Sequence, residues 1–214
     1  MKKAVIFDLD GTILDTIADL HEATNFAIKK LGLKAKTLQD TKRAIGDGLY
    51  NLIDRLTDHQ LSDDEIKEGC LFFIAYYKDH LLDHTKPYDG IIKLMEDLKI
   101  KGIKIFVLSN KDDFGVQVLI NHFFPGLVDV SLGHLQNMPI KPSVAPFELL
   151  LKDDKHLLKD DLIMIGDSKT DILTANNYGI DCLIVPWGYG KDFEHYSGFK
   201  MITATDDIKA NIFK

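Results

Sequence analysis

Residues 4–12, with the sequence AVIFDLDGT, place two carboxylates directly after an apolar run. The first four residues are strand formers, which predicts a buried strand. Asp8 and Asp10 lie on one face if the strand continues, because side chains alternate with a period of two. Two like charges this close repel each other unless a cation lies between them or they share a proton. The alternative is a turn that merely ends the strand.

The length and composition are those of an ordinary globular protein. At 214 residues the chain can form one large domain, or a large and a small one. It is 45% hydrophobic and 28% charged. The formal net charge of −7 argues against a general nucleic-acid binder, which would need a basic face. A phosphorylated small molecule is still compatible with this charge, because a bound cation can reverse the local field.

Neither the cysteines nor the amino terminus indicates export. Cys70 and Cys182 are far apart and form no C-x-x-C pair, so we expect two free thiols in a reducing compartment. Asp8 interrupts the first apolar run too early for a signal peptide. No apolar run in the sequence approaches the length of a membrane span. We therefore predict a cytoplasmic protein.

Residues 16–84 carry helical patterns and no strand pattern. Apolar residues recur at intervals of three and four over residues 17–31, 49–56 and 66–81. Thr37 or Thr41 is a candidate start for a further helix, and Ser62 with Glu65 has the pattern of a capping box. We predict an all-helical domain at residues 16–84, inserted after the first strand of a core formed by residues 1–15 and 85–214.

The remainder of the chain alternates between helical and strand patterns. Helices are predicted at residues 90–101, 114–124, 146–151 and 171–178. Strands are predicted at residues 103–108, 128–132, 162–165 and 182–185, with a short candidate at 201–202. Near-continuously apolar strands between helices indicate a parallel sheet that is covered on both faces. The predicted fold class is α/β, a Rossmann-like parallel sheet core with an all-helical insertion.

Polar side chains follow the predicted strands at their carboxyl ends, where a doubly wound sheet binds its ligands. They are Asp8 and Asp10 after the first strand, Ser109, Asn110 and Lys111 after the second, Lys141 beyond the third, and Asp167, Ser168 and Asp171 after the fourth. Hard oxygen ligands with room for water and a phosphate suit Mg²⁺. A lysine can neutralise phosphate charge, and a carboxylate can form a phosphorylated intermediate. The set predicts phosphoryl chemistry at a divalent cation.

Other phosphate, nucleotide and metal motifs are missing from the sequence. No G-x-x-x-x-G-K-[ST] follows the first strand, and no G-x-G-x-x-G opens the first helix. The glycine at position 11 comes too early for a calcium loop of the EF-hand type. The eight histidines include no pair at zinc-ligand spacing among the residues at the strand ends.

The strand-end groups resemble, in order, the four motifs of the haloacid dehalogenase-like (HAD) superfamily. The matching segments are residues 8–12 (DLDGT), 109–110 (SN), 141–142 (KP) and 166–171 (GDSKTD). The helical insertion resembles the C1-type cap of that superfamily. Four further segments resemble the phosphoglycolate phosphatase-like branch of the superfamily. They are residues 45–48 (IGDG), 87–90 (PYDG), 109–111 (SNK) and 187–190 (WGYG).

The resemblance implies catalytic and metal-binding roles for the matching residues. Asp8 would attack phosphorus and become an aspartyl-phosphate. Asp10 would protonate the leaving oxygen and then activate water, and Lys141 would stabilise the transition-state charge. Asp8, Asp167 and the backbone carbonyl of Asp10 would bind Mg²⁺.

The resemblance also suggests binding and supporting residues. Ser109 and Asn110 would bind phosphoryl oxygens. Thr12 is a candidate for the same group and would also shape the first motif loop. In the cap, Gly46 is a candidate for substrate contact, and the loop positions of Arg43, Asp47 and Tyr50 make them candidates too, the alternative being that they only pack or face solvent. The supporting residues would be Ser168 and Asp171, of which Asp171 orients Lys141 or a metal-bound water.

The expected function is Mg²⁺-dependent hydrolysis of a small phosphate monoester, with phosphoglycolate the leading substrate because of the branch resemblance. Asp10 favours a phosphatase over a dehalogenase, since an alkoxide leaving group profits from a general acid and a halide does not. The expected partner is a small phosphorylated metabolite, and we expect no binding to nucleic acid or membranes. The expected oligomeric state is a monomer or a homodimer. The alternatives are a sugar-phosphate mutase of the same superfamily, a phosphorelay receiver and a non-catalytic phosphometabolite-binding protein.

Overall fold

A six-stranded sheet lies at the centre of the computed structural model, which describes residues 1–191 and 193–213. In chain order the strands are β1 (Ala4–Phe7), β2 (Leu14–Asp15), β3 (Lys86–Pro87), β4 (Lys104–Asp112), β5 (Val130–His134), β6 (Leu162–Gly166), β7 (Asp181–Ile184) and β8 (Lys200–Met201). The sheet has the order β5-β4-β1-β6-β7-β8, and every neighbouring pair is parallel. This arrangement confirms the predicted α/β Rossmann-like fold.

Helices cover both faces of this sheet. In chain order they are α1 (Ile17–Lys30), α2 (Leu38–Ala44), α3 (Gly48–Leu56), α4 (Asp63–His80), α5 (Ile91–Ile100), α6 (Asp113–Phe123), α7 (Ala145–Leu150), α8 (Lys169–Tyr178) and α9 (Thr205–Ile212). None of the helices within residues 1–191 and 193–213 is both long and apolar enough to cross a membrane. Cys70 and Cys182 are free thiols, as predicted.

Strand β1 is the most deeply buried part of the sheet, and its side chains divide between two cores. Val5 and Phe7 belong to a cluster that includes Leu94 of α5. Ala4 and Ile6 belong to a second cluster that includes Phe147 of α7. All four residues of β1 are inaccessible to solvent. The alternation of faces along a fully buried strand explains its continuous apolar sequence and fixes where Asp8 emerges.

Strand β4 is longer than the pattern predicts. The apolar run ends at Leu108, but pairing with β5 continues after an irregularity and joins Asp112 to His134. Ser109, Asn110 and Lys111 therefore lie inside the strand rather than after it. Their polar character hid the extension, because sequence periodicity registers burial and not backbone pairing.

Helices α1 to α4 form a segment with no strand in it, between β2 and β3. These two short strands pair antiparallel and were not predicted. Ser62 Oγ accepts from the Glu65 amide at 3.4 Å, and Glu65 Oε2 accepts from the Ser62 amide at 2.8 Å, so the predicted capping box is present. The division of the chain into a core and a helical domain stays a prediction.

The two ends of the helical segment are joined by one buried carboxylate. Asp19 of α1 accepts hydrogen bonds from the His84 amide at 2.9 Å, the Thr85 amide at 2.9 Å and the Thr85 hydroxyl at 2.7 Å. These donors satisfy a side chain that is almost inaccessible to solvent. The contact fixes the point at which the chain returns from the helices to the sheet.

Candidate active site

A cluster of buried charged side chains lies at the carboxyl edge of the sheet. Asp8 follows β1, Asp167 follows β6, and Asp171 lies in the first turn of α8. One carboxylate oxygen from each lies within 4.8 Å of the others. Lys141, in the loop after β5, places Nζ 2.7 Å from Asp8 Oδ1 and 2.7 Å from Asp171 Oδ1. The parallel strands thus bring together side chains that are far apart in the sequence.

Burial and mutual repulsion change the ionisation of this cluster. Burial raises the pKa of the Asp8 carboxyl to about 7, although the Lys141 charge opposes the rise. Burial also raises the pKa of Asp167 well above its usual range, and the nearby Asp8 charge adds to this. Burial alone would lower the pKa of Lys141, but the charges of Asp171 and Asp8 raise it. The single ammonium therefore does not fully neutralise the three crowded carboxylates.

The donor set of the cluster fits a divalent cation with hard oxygen ligands. Asp8 Oδ2 has no hydrogen-bond partner among the described residues, and neither does Asp167 Oδ1. Both are free to bind a cation. The set contains carboxylates and neither sulfur nor imidazole, which suits Mg²⁺ better than zinc.

Asp171 has both of its oxygens occupied by the protein. Oδ1 accepts from Lys141, and Oδ2 accepts from the Ser168 hydroxyl at 2.8 Å, the Ser168 amide at 3.1 Å and the Asp167 amide at 3.2 Å. Asp171 therefore orients Lys141 and holds the turn between β6 and α8. This geometry suits the supporting role predicted for Asp171 and Ser168 more than direct metal binding.

Asp167 is oriented by a segment to which the sequence interpretation assigned no role. Asp167 Oδ2 accepts from the backbone amide of Tyr189 at 2.5 Å and from that of Gly190 at 3.3 Å. A Cβ atom at Gly190 would collide with the Asp167 carbonyl, so this approach requires a glycine. The two glycines at positions 188 and 190 were the available signal, because closely spaced glycines often permit close backbone contact.

Asp10 is paired with Lys111, which the sequence placed at the end of the second predicted strand and in the branch pattern without a role of its own. Lys111 Nζ donates to Asp10 Oδ1 at 3.0 Å and lies 3.2 Å from Oδ2. The same ammonium lies 4.8 Å from the centroid of the Tyr77 ring in α4. The Asp10 carboxylate is therefore separate from the Asp8 cluster, in keeping with a predicted metal contact through its backbone carbonyl alone.

Asn110 holds two loops together. Its Oδ1 accepts from the Lys141 amide at 2.8 Å, while Nδ2 donates to the carbonyls of Lys141 at 3.1 Å and Gly46 at 3.0 Å. These bonds position the backbone of Lys141, and a phosphate contact by Asn110 stays a prediction. The hydroxyl of Ser109 accepts from the Lys111 amide at 3.2 Å and keeps its own proton free to donate.

A cavity of about 840 Å³ lies between the strand ends and helices α2, α3 and α4. It brings together most of the predicted site residues, namely Asp8, Asp10, Arg43, Gly46, Ser109, Asn110, Lys141, Asp167 and Ser168. Two predicted residues do not line it. Thr12 and Asp171 are buried behind the wall, and Thr12 Oγ1 has no hydrogen-bond partner among the described residues.

The helical segment closes over this cavity through Asp47 as well as Gly46. Asp47 Oδ1 accepts from the Thr170 hydroxyl in α8 at 3.0 Å, and Oδ2 pairs with Arg55 in α3. Burial alone would raise the pKa of Asp47, but the hydrogen bond and charge of Arg55 lower it. The carboxylate therefore stays ionised and links the helical segment to the start of α8.

We expect Asp47→Ala to lower the free energy of unfolding by about 1 kcal/mol, because the part-buried carboxylate loses its hydrogen bond from Thr170 and its ion pair with Arg55. The measurement is urea unfolding followed by circular dichroism. Asp64→Ala is the matched control, since its pair with Lys67 is largely exposed and an exposed pair contributes little. Equal destabilisation by the two substitutions would contradict the expectation.

The sequence and the fold match known hydrolases. A family model of haloacid dehalogenase-like hydrolases matches residues 5–185. The phosphoglycolate phosphatase of Colwellia psychrerythraea is 31% identical over 205 residues, covering 91% of this chain and 90% of the relative. That of Chromobacterium violaceum is 33% identical over 194 residues, covering 87% and 86%.

Solved structures agree with these relatives. The crystal structure of a protein from Lactobacillus delbrueckii subsp. bulgaricus, provisionally assigned as a phosphoglycolate phosphatase, has a TM-score of 0.90 at 32% identity and covers 99% of both chains. The similarity therefore extends over the sheet, the helical segment and all four motifs. The chain belongs to the haloacid dehalogenase-like hydrolase family and, within it, to the phosphoglycolate phosphatase-like branch of phosphoric monoester hydrolases.

Proposed function

We propose that the protein is a Mg²⁺-dependent phosphatase that hydrolyses 2-phosphoglycolate through an aspartyl-phosphate at Asp8. The observation that carries the proposal is the position of Asp8 on the wall of the cavity. One oxygen is held by Lys141 at 2.7 Å, and Asp167 lies in the same cluster. The choice of substrate rests on the phosphoglycolate phosphatases to which the chain is about 30% identical.

Asp8 is the nucleophile of the first step. One carboxylate oxygen of Asp8 attacks phosphorus while Lys141 keeps the carboxylate oriented, a carboxylate–phosphorus bond forms, and the bond from phosphorus to the ester oxygen breaks. Lys141 stays beside the developing negative charge, and the Ser109 hydroxyl, which also lines the cavity, donates to a phosphoryl oxygen. Bound by Asp8, Asp167 and the Asp10 carbonyl, Mg²⁺ would supply positive charge that neutralises the phosphoryl oxygens.

Asp10 handles the protons of both steps. Its carboxyl protonates the ester oxygen as the alkoxide leaves, which makes the alcohol a better leaving group. In the second step the carboxylate takes a proton from water, the water oxygen attacks phosphorus, and the bond to Asp8 breaks to release inorganic phosphate. Asp10 lines the cavity beside the Lys111 ammonium and outside the Asp8 cluster, where its carboxyl faces the space that substrate and water would fill.

The helical segment acts as a cap in this proposal. Arg43 and Gly46 line the cavity from α2 and the turn that follows it, opposite the strand ends. Gly46 and Asp47 both contact the sheet side of the cavity. Opening of the segment admits substrate, and its closure excludes water from the cavity and completes the contacts to the substrate.

The proposal is tested by incubating the protein with a panel of phosphorylated metabolites and measuring released phosphate with Mg²⁺ and with excess EDTA. We expect phosphoglycolate to give the highest kcat/KM, and EDTA to reduce the rate at least about 100-fold, reversibly on adding Mg²⁺. Mg²⁺ should also raise the Tm, because it binds the folded carboxylate cluster.

The same panel distinguishes two of the other candidate functions, the mutase and the binding protein. A sugar-phosphate mutase would convert one sugar phosphate into its isomer and release little phosphate. A non-catalytic binding protein would be stabilised by a metabolite without turning it over. Full activity in EDTA would contradict the metal role, and a preference for another ester would contradict the choice of substrate.

A further inference from the structure

Lys111 occupies a position that the proposed mechanism does not use. Its side chain is 4% exposed, yet it belongs to the wall of the cavity. The ammonium contacts both oxygens of Asp10 at 3.0 and 3.2 Å. An ammonium has three N–H donors, so at least one is not needed by Asp10. Among the described residues, Lys111 is the cation that contacts the proposed acid and base.

Tyr77 provides a second, independent observation on the cap side of the same place. It comes from α4, lines the cavity, and has its ring 4.8 Å from the Lys111 ammonium. The side chain is 3% exposed, and its buried hydroxyl has no acceptor for its proton among the described residues, because the neighbouring Lys111 ammonium can only donate. Burial raises the pKa of Tyr77 to about 12, so the hydroxyl keeps its proton. A buried donor without an acceptor is costly unless a ligand provides one.

The position of these two groups relative to Asp10 limits what they can bind. The ester oxygen of a bound substrate must reach Asp10, because Asp10 protonates it. Lys111 is in direct contact with Asp10, so its ammonium lies next to the first atoms of the leaving group beyond that oxygen. One methylene separates the ester oxygen of 2-phosphoglycolate from its carboxylate. A cation and an unpaired hydroxyl at this point are suited to a short anionic leaving group.

We propose that Lys111 and Tyr77 determine specificity by binding a carboxylate on the leaving group next to Asp10. The inference rests on the proposed function of the site and adds to it the two residues that select a carboxylate on the leaving group. Lys111 supplies the charge, and the Tyr77 hydroxyl donates the second hydrogen bond from the cap. Binding of the carboxylate to residues from β4 and α4 also links substrate recognition to cap closure.

The test compares two esters that differ in the leaving group alone, 2-phosphoglycolate and 2-hydroxyethyl phosphate. The first carries a carboxylate where the second carries a neutral hydroxymethyl group. For each protein we would measure kcat/KM for both esters and take their ratio. Loss of the Lys111–Asp10 contact would slow both reactions, and the ratio removes this common effect.

We expect the parent protein to prefer 2-phosphoglycolate. Lys111→Met should lower the ratio about 10- to 100-fold, as expected when a site built to pair a charge loses its partner. Tyr77→Phe should lower the ratio roughly 3- to 10-fold. The matched control is Lys191→Met, which removes the charge of another, exposed cavity lysine and should leave the ratio unchanged. Inhibition by inorganic phosphate should be unchanged in all three variants.

The outcomes separate this inference from the proposed function. If Lys111→Met slows both esters by the same factor, Lys111 acts only through Asp10 and the inference is wrong. If Lys111→Met does not fold, the ratio for Tyr77→Phe is used instead, and an unchanged ratio again means that the inference is wrong. A parent protein that hydrolyses both esters equally overturns the inference and leaves the phosphatase intact. A parent protein that releases phosphate from no ester contradicts the proposed function itself.

Discussion

Replacing Asp8 with asparagine is expected to reduce the phosphatase kcat by at least about 10⁴-fold, the size of loss seen when a covalent nucleophile is removed. Asparagine has the same shape, but its neutral amide is a poor nucleophile toward phosphorus. The measurement is phosphate release from 2-phosphoglycolate and from p-nitrophenyl phosphate at saturating Mg²⁺. A variant that hydrolyses p-nitrophenyl phosphate at the parental rate would show that Asp8 is not the nucleophile.

The same substitution should stabilise the metal-free protein. Asp8 lies within 4.8 Å of the Asp167 and Asp171 carboxylates, and the lost repulsion outweighs the lost contact with Lys141. We expect a gain on the order of 1–2 kcal/mol at neutral pH, or about 2–8 °C in Tm for a chain of this size. Asp181→Asn is the control, because Asp181 is exposed and pairs with Lys2 away from the cavity.

The gain in stability should depend on pH in a direction fixed by the Asp8 pKa. That pKa rises from 3.8 to about 7 on folding, so the folded protein binds more protons than the unfolded chain between these values. The contribution of Asp8 to the stability of the metal-free parent therefore falls as the pH rises through this window. Asp8→Asn removes this contribution, so the Tm difference should be larger at pH 8 than at pH 5. A constant difference would contradict the raised pKa.

The fold and the main site residues could be predicted because their signals are local. Asp8 and Asp167 each lie close behind an apolar run, and parallel strands deliver their carboxyl ends to one edge of a sheet, whereas Lys141 lies in a loop beyond the third strand and was identified by its place in the motif order. The order of the motifs predicted the roles of these residues, since it matched a known family over the whole chain. The carboxylate cluster therefore followed from short sequence segments and one rule of topology.

The features that were missed depend on contacts between distant segments. The bond from Asn110 to the Gly46 carbonyl joins β4 to the helical segment, and the bond from the Tyr189 amide to Asp167 joins two loops. The hydrophobic periodicity of the sequence gives no signal of either contact. The pairing of Lys111 with Asp10 and Tyr77 is of the same kind. Sequence patterns indicate which residues are buried and charged, whereas only the docked structure indicates which of them meet.

Replacing Lys141 with methionine should change both activity and stability, and the change in stability should be opposite in sign to that of Asp8→Asn. Methionine keeps most of the length of the side chain and removes the ammonium that contacts Asp8 and Asp171 at 2.7 Å. We expect kcat to fall about 10³-fold, because the charge that develops on the phosphoryl group loses a fixed partner. Phosphate release is the measurement, and Lys104→Met, which removes the partner of Asp154 away from the cavity, is the control.

The metal-free Lys141→Met protein should lose about 3–5 kcal/mol of stability, because removing one partner leaves buried carboxylates unpaired. Lowering the pH should recover part of this loss, since protonation neutralises those carboxylates. Adding Asp8→Asn to Lys141→Met should also recover part of it, since one of the unpaired charges is then absent, and urea unfolding of the two single variants and the double variant measures the coupling. Additive effects in this cycle would mean that Lys141 and Asp8 do not interact. A positive coupling would identify Lys141 as the cation that makes a buried nucleophilic carboxylate tolerable before the metal binds.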